Sequence, residues 1–251
     1  MKIPLEDNSH DIVGKAQRGL QLPGETDPVK LGLNATALRA IAEGAWSPND
    51  PGKIDGLAMF NTPYGDMAVN AYVIFDPVTT VAAAFDTGAD CSGMLQLNVK
   101  IQQIFVTHAH GDHILDLPRL KKATGAPAYI GDREDFDEAQ GFAAGRQFQI
   151  GKMKVETRLT CGHSSGGITY VVRGLQHPVA VVGDAMFAGS MGGGMVSYDD
   201  ALRTNREQIL TLPDDTILCC GHGPLTTVGE EKVHNPFFSS ASYRSMTCRT
   251  N

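Results

Sequence analysis

The chain has 251 residues, of which 42% are hydrophobic and 20% are charged, and its formal net charge is -7. This length can bury a sizeable core in one large α/β domain or in two small ones. The acidic balance argues against a general affinity for nucleic acid or for an anionic membrane. We therefore expect a protein that acts on small molecules, with neither nucleic acid nor a membrane as its partner.

Residues 1–55 are rich in Pro, Gly, Asp and Asn and contain one predicted helix, NATALRAIAEGA, which Asn34 would cap. We interpret this segment as an N-terminal extension that precedes a single domain over residues 56–251. The first residues, MKIPLEDNSHDIVGKAQRG, lack the apolar core of a signal peptide. No stretch approaches the roughly 20 apolar residues that a membrane span requires. These features predict a cytoplasmic location.

The β pattern begins at Gly56. The runs GLAMFNT, AVNAYVIFD and VAAAFDTG are separated by turn residues and predict a meander of neighbouring strands. A short helix around SGMLQLN follows, then the strand QQIFVT and the helix ILDLPRLKKAT, which Gly125 would end. Later strands are PAYIG, MKVETRLT, GITYVV, PVAVVG and TILCC, with the amphipathic helix SYDDALRTNREQILTL before the last. Strands with interspersed helices indicate a layered α/β fold.

The cysteines do not form the pattern of a disulfide framework. Their number is odd and their spacing is not that of a small disulfide-rich scaffold, so we expect reduced thiols. A cysteine within a buried strand behaves as a small hydrophobic residue. The five are Cys91, Cys161, Cys219, Cys220 and Cys248.

Polar side chains of the metal-binding type follow four of the predicted strands. A single Gly-His turn, or an aspartate that ends a strand, is weak evidence for a metal site. The run THAHGDH is stronger evidence, because three closely packed imidazoles would repel one another if charged and neutral imidazole is the commonest metal ligand. Together the four motifs predict one metal site. Its candidate residues are His108, His110, Asp112, His113, His163, Asp184 and His222.

Five histidines and two aspartates are too many ligands for one tetrahedral zinc that keeps a position open for water. Two divalent metals fit this set. Histidine with carboxylate and without cysteine suits Zn and also admits Fe or Mn, so the ligand types leave the metal open. A non-catalytic metal-binding module is the disfavoured interpretation, because these donors form an open site.

The order THAHGDH, GH, D and GHGP resembles the metallo-β-lactamase superfamily, and in particular its glyoxalase II (hydroxyacylglutathione hydrolase) branch. The resemblance covers about residues 56–238 and includes NAYVI, DTGAD, GDAMFAGS, TLPDDT and TTVGEEKVHNPFF. It implies a four-layer αββα sandwich with two ligand sets and Asp184 as a bridge between two metals. The implied sets are His108, His110 and His163 for one metal, and Asp112, His113 and His222 for the other.

The activity that the resemblance implies is hydrolysis of acyl thioesters by a hydroxide shared between two metals. S-lactoylglutathione is the leading candidate for the substrate. Asp112 and Asp184 are the expected catalytic residues, and Lys232 matches a basic position near the family's glutathione pocket. A bridging aspartate is not the pattern of the superfamily's true β-lactamases, so Asp184 argues against an antibiotic substrate.

Two features depart from the glyoxalase II branch. The chain reads GSMGGGMVSYDD where an arginine-containing loop is common, and 29 residues follow His222 where longer members carry a helical C-terminal domain. The alternative interpretations keep the fold. One is a mononuclear iron persulfide dioxygenase that uses His108, His163 and Asp184, and another is a lactonase or phosphodiesterase. The sequence leaves the oligomeric state open.

Overall fold

The structure, a computed structural model, describes residues 5–22 and 27–239. Its first sheet begins with the predicted meander, in which β1, β2 and β3 are antiparallel neighbours. Three further strands then join in parallel, and the sheet has the order β1-β2-β3-β4-β5-β6. The strands are Leu57–Tyr64 (β1), Met67–Phe75 (β2), Val81–Phe85 (β3), Lys100–Phe105 (β4), Ala128–Gly131 (β5) and Gln140–Phe142 (β6).

The second sheet has the order β12-β11-β10-β9-β8-β7. Strands β7 to β10 pair in an antiparallel manner, whereas β11 runs parallel to β10. The carboxyl ends of β10 and β11 therefore lie at the same edge. The strands are Gln147–Ile150 (β7), Met153–Leu159 (β8), Ile168–Arg173 (β9), Val179–Gly183 (β10), Ile217–Cys220 (β11) and Thr226–Thr227 (β12).

Helices cover the outer faces of both sheets. The helices are Leu5–Gln17 (α1), Ala35–Ala42 (α2), Ser92–Leu95 (α3), Gly111–Ile114 (α4), Leu117–Thr124 (α5), Tyr198–Thr204 (α6) and Val228–His234 (α7). The buried side chains of α3 and α5 pack on the first sheet. A π-helical segment, Asn205–Ile209, continues α6 and packs Ile209 on the second sheet.

The main core lies between the two sheets. Phe85 and Phe105 of the first sheet contact Tyr170 of the second, at ring-centroid distances of 5.6 and 5.1 Å. All three side chains are buried, and aromatic side chains bury more apolar area than other residues. Two helix layers around two packed sheets confirm the predicted αββα sandwich.

The predicted helix ILDLPRLKKAT is interrupted. Helix α4 ends at Ile114 and α5 begins at Leu117, with Pro118 in its first turn. Proline lacks a backbone N–H, so it is tolerated at a helix start but not in the interior. Gly125 ends α5 in a left-handed conformation with φ 68°, as predicted.

The N-terminal segment contains one predicted α-helix, one α-helix that was not predicted and a short 3-10 helix, Pro28–Leu31. Asn34 caps α2, as expected, and its side chain accepts hydrogen bonds from the backbone N–H groups of Thr36 and Ala37. Helix α1 was missed. Both α-helices bury apolar residues in one cluster with Met191, which belongs to the β10–α6 connection. The boundary at residue 55 between extension and domain remains a prediction.

Two further expectations concern the part of the chain that the structure describes. None of its helices combines the length and the apolar character needed to cross a membrane. Cys91, Cys161, Cys219 and Cys220 are free thiols, in agreement with the prediction, and Cys248 lies outside the described residues.

Candidate metal centre

The seven predicted ligands lie together at one edge of the sandwich. His108, His110, Asp112 and His113 follow β4 of the first sheet, whereas the other three follow β8, β10 and β11 of the second. Their side chains form two adjoining groups, and in each group one ligand atom from every residue lies within 4.8 Å of the others. The groups are His108, His110, His163 and Asp184, and Asp112, His113 and His222.

The first ligand set is His108, His110 and His163. His110 Nδ1 lies 2.9 Å from His108 Nε2 and 3.0 Å from His163 Nε2. Three imidazole nitrogens this close together fit one metal with Zn–N bonds of about 2.0–2.1 Å. His108 is almost fully buried, whereas His110 and His163 are partly exposed, so the set opens to solvent on one side.

The second ligand set is Asp112, His113 and His222. Asp112 Oδ2 lies 3.2 Å from His222 Nε2 and 3.6 Å from His113 Nε2. His113 is fully buried, and among the described residues its Nε2 makes no well-aligned hydrogen bond, although Asp184 Oδ1 lies 3.2 Å away. A buried nitrogen without a partner is costly, and a metal would satisfy it. The donors therefore fit a second divalent metal.

Asp184 lies between the two sets. Its Oδ1 is 3.2 Å from His113 Nε2, and its Oδ2 is 3.5 Å from the Nε2 atoms of both His163 and His222. A Cβ atom at Gly221 would lie 2.0 Å from Asp184 Oδ1, so glycine there leaves room for the carboxylate. A bridging role for Asp184 requires that its carboxylate lie between the two ligand sets, as it does here. The role itself remains a prediction, as does the ligand role of each of the seven residues.

Outer hydrogen bonds hold four of the histidine rings. A ring nitrogen that donates a hydrogen bond carries the proton, which leaves the opposite nitrogen as an electron-pair donor. This arrangement presents the inner nitrogens for metal binding. The outer contacts are His113 Nδ1 to Asp86 Oδ2 (2.8 Å), His163 Nδ1 to Gly193 O (2.9 Å), His222 Nδ1 to Ala68 O (2.6 Å) and His108 Nδ1 to Thr107 Oγ1 (3.0 Å).

The two sets differ in their electrostatics. Burial lowers the pKa of His108 well below its ordinary value and also lowers that of His163. Burial also opposes charge on His113, but attraction to Asp86 and Asp184 outweighs it and holds that pKa well above the ordinary value. His108 and His163 thus favour the neutral imidazole.

The carboxylates of the cluster favour their ionised form. Burial alone would raise the pKa of Asp184, yet interactions with His113 and His222 hold it well below its ordinary value. Asp112 follows the same pattern, because contacts with His222 and His113 overcome its burial and lower its pKa. The site therefore offers anionic oxygen donors beside imidazole nitrogens, a donor set that suits Zn, Fe or Mn.

Asp86 supports the candidate metal site through hydrogen bonds, and the motif reasoning did not single it out. Its Oδ1 accepts from Thr107 N at 2.7 Å, and its Oδ2 accepts from Thr107 Oγ1 and His113 Nδ1, both at 2.8 Å. Its backbone φ of 55° is in the left-handed region, which costs a non-glycine residue free energy. The hydrogen bonds hold this conformation and fix the orientation of His113.

Glu134 is a second residue that sequence reasoning missed. Its Oε2 accepts from the backbone N–H of Ala109, which lies between His108 and His110, at 3.1 Å. Its Oε1 accepts from Gly166 N, three residues after His163, at 2.6 Å. One carboxylate therefore ties together the two loops that supply the first ligand set. An acidic residue within the stretch REDF gives no signal of such a role.

Lys232 lies apart from the seven side chains. Its Nζ is 2.6 Å from Asp214 Oδ1, with which it forms an ion pair. Asp214 precedes β11 and His222 follows it, so this ion pair and the metal cluster lie at opposite ends of the strand. The position gives no support to the predicted contact between Lys232 and substrate.

We expect Asp86→Asn to weaken metal binding by the second ligand set by about 10- to 100-fold, the usual effect of losing a hydrogen-bond partner of a metal-binding histidine. The amide cannot accept both from His113 Nδ1 and from the two Thr107 donors. Competition with a chromophoric chelator measures the change. Asp90→Asn, in the same loop but exposed, is the control. Unchanged affinity in Asp86→Asn would show that the contact does not support binding.

Glu231 anchors the β10–α6 connection from α7. Its carboxylate accepts from Gly189 N, Thr226 Oγ1 and Asn235 Nδ2, and the side chain is completely buried. Burial raises its pKa from 4.5 to about 7. Because the folded pKa is raised, the proton on Glu231 contributes stability that is full below pH 4.5 and is lost as the pH rises through about 7.

Glu231→Gln should remove this pH dependence. Between pH 5 and 8, the free energy of unfolding of the unmodified protein should fall by about 2 kcal/mol relative to that of the variant. Urea unfolding of both proteins at the two pH values measures the difference. A difference that stays constant with pH would mean that Glu231 titrates at its ordinary pKa.

The sequence is similar to a protein family and to several known proteins. The model of the metallo-beta-lactamase superfamily matches residues 64–222. A protein of Aquifex aeolicus is 30% identical over 204 residues, which are 70% of this chain and 94% of that protein. The hydroxyacylglutathione hydrolase GloC of Haemophilus influenzae is 27% identical over 190 residues, which are 64% of this chain and 89% of GloC.

A solved structure has the same fold. The B3 metallo-beta-lactamase BLEG-1 superimposes with a TM-score of 0.62 at 27% identity, over 73% of this chain and 100% of that one. In each of these comparisons the match covers most or all of the other protein but leaves more than a quarter of this chain unmatched. The family model begins at Tyr64, so α1 and α2 lie outside it.

Proposed function

Because the chain belongs to the metallo-beta-lactamase superfamily, we propose that it is a dinuclear metal-dependent hydrolase of acyl thioesters, with a glutathione thioester of the S-lactoylglutathione type as substrate. One observation carries the proposal. All seven candidate ligands form two adjoining sets, and Asp184 faces both of them.

Two divalent metals held by these sets would supply Lewis acidity and would lower the pKa of a bound water. The chain itself supplies position and charge. The pKa values of Asp112 and Asp184 are lowered, which favours their carboxylate forms; Asp184 faces both ligand sets, and Asp112 can accept a hydrogen bond from the attacking water. The water oxygen forms the new C–O bond to the carbonyl carbon and its protons pass to solvent, while the C–S bond breaks. The products are a carboxylate and a thiolate, whose parent thiol has a pKa of about 8.5 and which therefore leaves with little help from an acid.

The glutathione part of the proposal has its own support. GloC is named as a hydroxyacylglutathione hydrolase, and this chain matches most of its length. Lys232 is paired with Asp214 and contributes nothing to this part. A glutathione thioester carries two carboxylates, for which an acidic protein needs local cations. Recognition of the thiol is therefore tested separately from the hydrolysis.

A panel of thioesters that share one acyl group tests both parts. We expect thiol release from all of them with two metals per chain, and the highest kcat/KM for the glutathione ester. Equal rates for glutathione and simple alkyl thiols would remove glutathione and leave the hydrolase. A chromogenic β-lactam belongs in the panel because of the similarity to BLEG-1, and we expect little turnover of it.

Metal analysis decides among the alternatives on the same fold. One iron per chain, with oxygen uptake on a glutathione persulfide and no thioester hydrolysis, would establish the dioxygenase instead. Hydrolysis of lactones or phosphodiesters but not of thioesters would retain the two metals and change the substrate class. Tight metal binding without any turnover would leave a binding module.

A further inference from the structure

The connection between β10 and α6, residues 185–196, passes close to two of the proposed ligands. Gly193 O accepts the hydrogen bond from His163 Nδ1. A Cβ atom at Gly192 would lie 2.0 Å from Asp184 O and 2.9 Å from His163 Nδ1, so only glycine fits there. Three successive glycines, Gly192 to Gly194, also make this part of the loop costly to order. Contacts from elsewhere must fix its position.

Helix α1 provides such contacts at both ends of the stretch 188–192. His10 Nε2 donates to Gly192 O at 3.2 Å, and Gln17 Nε2 donates to Ala188 O at 3.1 Å. Between these points, the side chain of Met191 is 1% exposed and lies in one apolar cluster with Val13 and its helix neighbours Ile12 and Ala16. The helix thus holds the loop through two hydrogen bonds and one apolar anchor.

The rest of the N-terminal segment and α7 hold the same loop at Gly189. A Cβ atom there would lie 2.7 Å from Trp46 Cζ3 and 3.0 Å from Ile41 Cδ1. On α7, the carboxylate of Glu231 accepts from Gly189 N. The loop is therefore fixed between the N-terminal segment and α7, both of which lie outside the residues that the family model matches.

We infer that the N-terminal segment is a positioning element of the metal centre: α1 holds the glycine run, and the glycine run holds the ring of His163 in the orientation that binds metal. This inference rests on the proposed ligand role of His163. It predicts an effect on the first ligand set, to which His163 belongs, and none on the second, whose outer hydrogen bonds come from Asp86 and Ala68.

The double variant His10→Phe/Gln17→Met tests it in the full chain. Phenylalanine keeps a ring against Tyr198 and Phe237, which His10 contacts, but cannot donate to Gly192 O. Methionine keeps the length of Gln17 without a donor. Zinc affinity is measured by chelator competition in two backgrounds, His222→Ala to report the first set and His163→Ala to report the second. We expect about tenfold weaker binding in the first background, the low end for outer contacts, and no change in the second.

Asp11→Ala, on the solvent side of the same helix, is the matched control and should change neither affinity. Circular dichroism and thermal unfolding show whether each variant folds. If the double variant folds and binds zinc in the His222→Ala background as tightly as its parent, or if both backgrounds weaken equally, the positioning role is wrong. Failure of the unmodified chain to bind two metals would instead refute the proposed function.

Discussion

Asp184→Asn should reduce thioester hydrolysis by more than the 10- to 100-fold typical of outer contacts, and should lower the metal content to one per chain or less. Asparagine keeps the volume of the side chain but loses its negative charge and one of its two oxygen acceptors. Both oxygens are needed, because Oδ1 faces His113 and Oδ2 faces His163 and His222. Elemental analysis and steady-state kinetics on the same preparation measure the two effects.

Asp199→Asn is the control for this substitution, because Asp199 is an exposed carboxylate in the first turn of α6. It should leave both metal content and turnover unchanged. An Asp184→Asn protein with two metals per chain and full turnover would rule out the bridging role. Loss of activity together with loss of the folded state would point to a structural effect, so thermal unfolding accompanies the assay.

Removal of the metals should abolish hydrolysis and lower the melting temperature by about 15 °C or more. A ligand present at a thousandfold excess over its Kd stabilises the folded state by about 4 kcal/mol per site. For a chain of about 250 residues, each kcal/mol shifts the melting temperature by about 2–4 °C. Differential scanning calorimetry before and after chelation measures the shift.

Stepwise return of the metal gives a second readout. The melting temperature and the hydrolytic rate should both recover, and saturation at two equivalents would match the two ligand sets. Parallel titrations with Zn, Fe and Mn identify the metal that supports turnover. A chelated protein that contains no metal yet keeps its melting temperature and activity would contradict the metal centre.

The sequence predicted the part of the site that depends on strand ends. Each strand run that preceded a candidate ligand forms a strand, and because β10 and β11 are parallel, Asp184 and His222 emerge at the same edge. The histidine run after β4 was visible as a motif because ligands from one short turn are adjacent in sequence. Strand periodicity predicted a layered α/β fold, and the family resemblance carried by the motifs implied the αββα sandwich.

Contacts between segments that are distant along the chain leave no comparable pattern in the sequence. Helix α1 is polar along most of LEDNSHDIVGKAQ. Among its described side chains the buried apolar ones are Ile12, Val13 and Ala16, so the helical repeat of apolar residues is weak. The strands β6 (QGF) and β7 (QFQI) are too short for their alternation to predict a strand. Glu134 acts on backbone N–H groups 25 and 32 residues away, and side-chain type alone does not encode such a contact.

Each ligand set takes side chains from both sheets, and this arrangement has a kinetic consequence. His110 and His163 are 53 residues apart, and each belongs to a loop of a different sheet. Bound metals would cross-link the two sheets at two points along this edge, so the sheets could not separate there until both metals had been released. If the metals bind late in folding, they would slow unfolding far more than they would speed refolding. The unfolding half-life of the metal-bound protein would then be set by the rate of metal release.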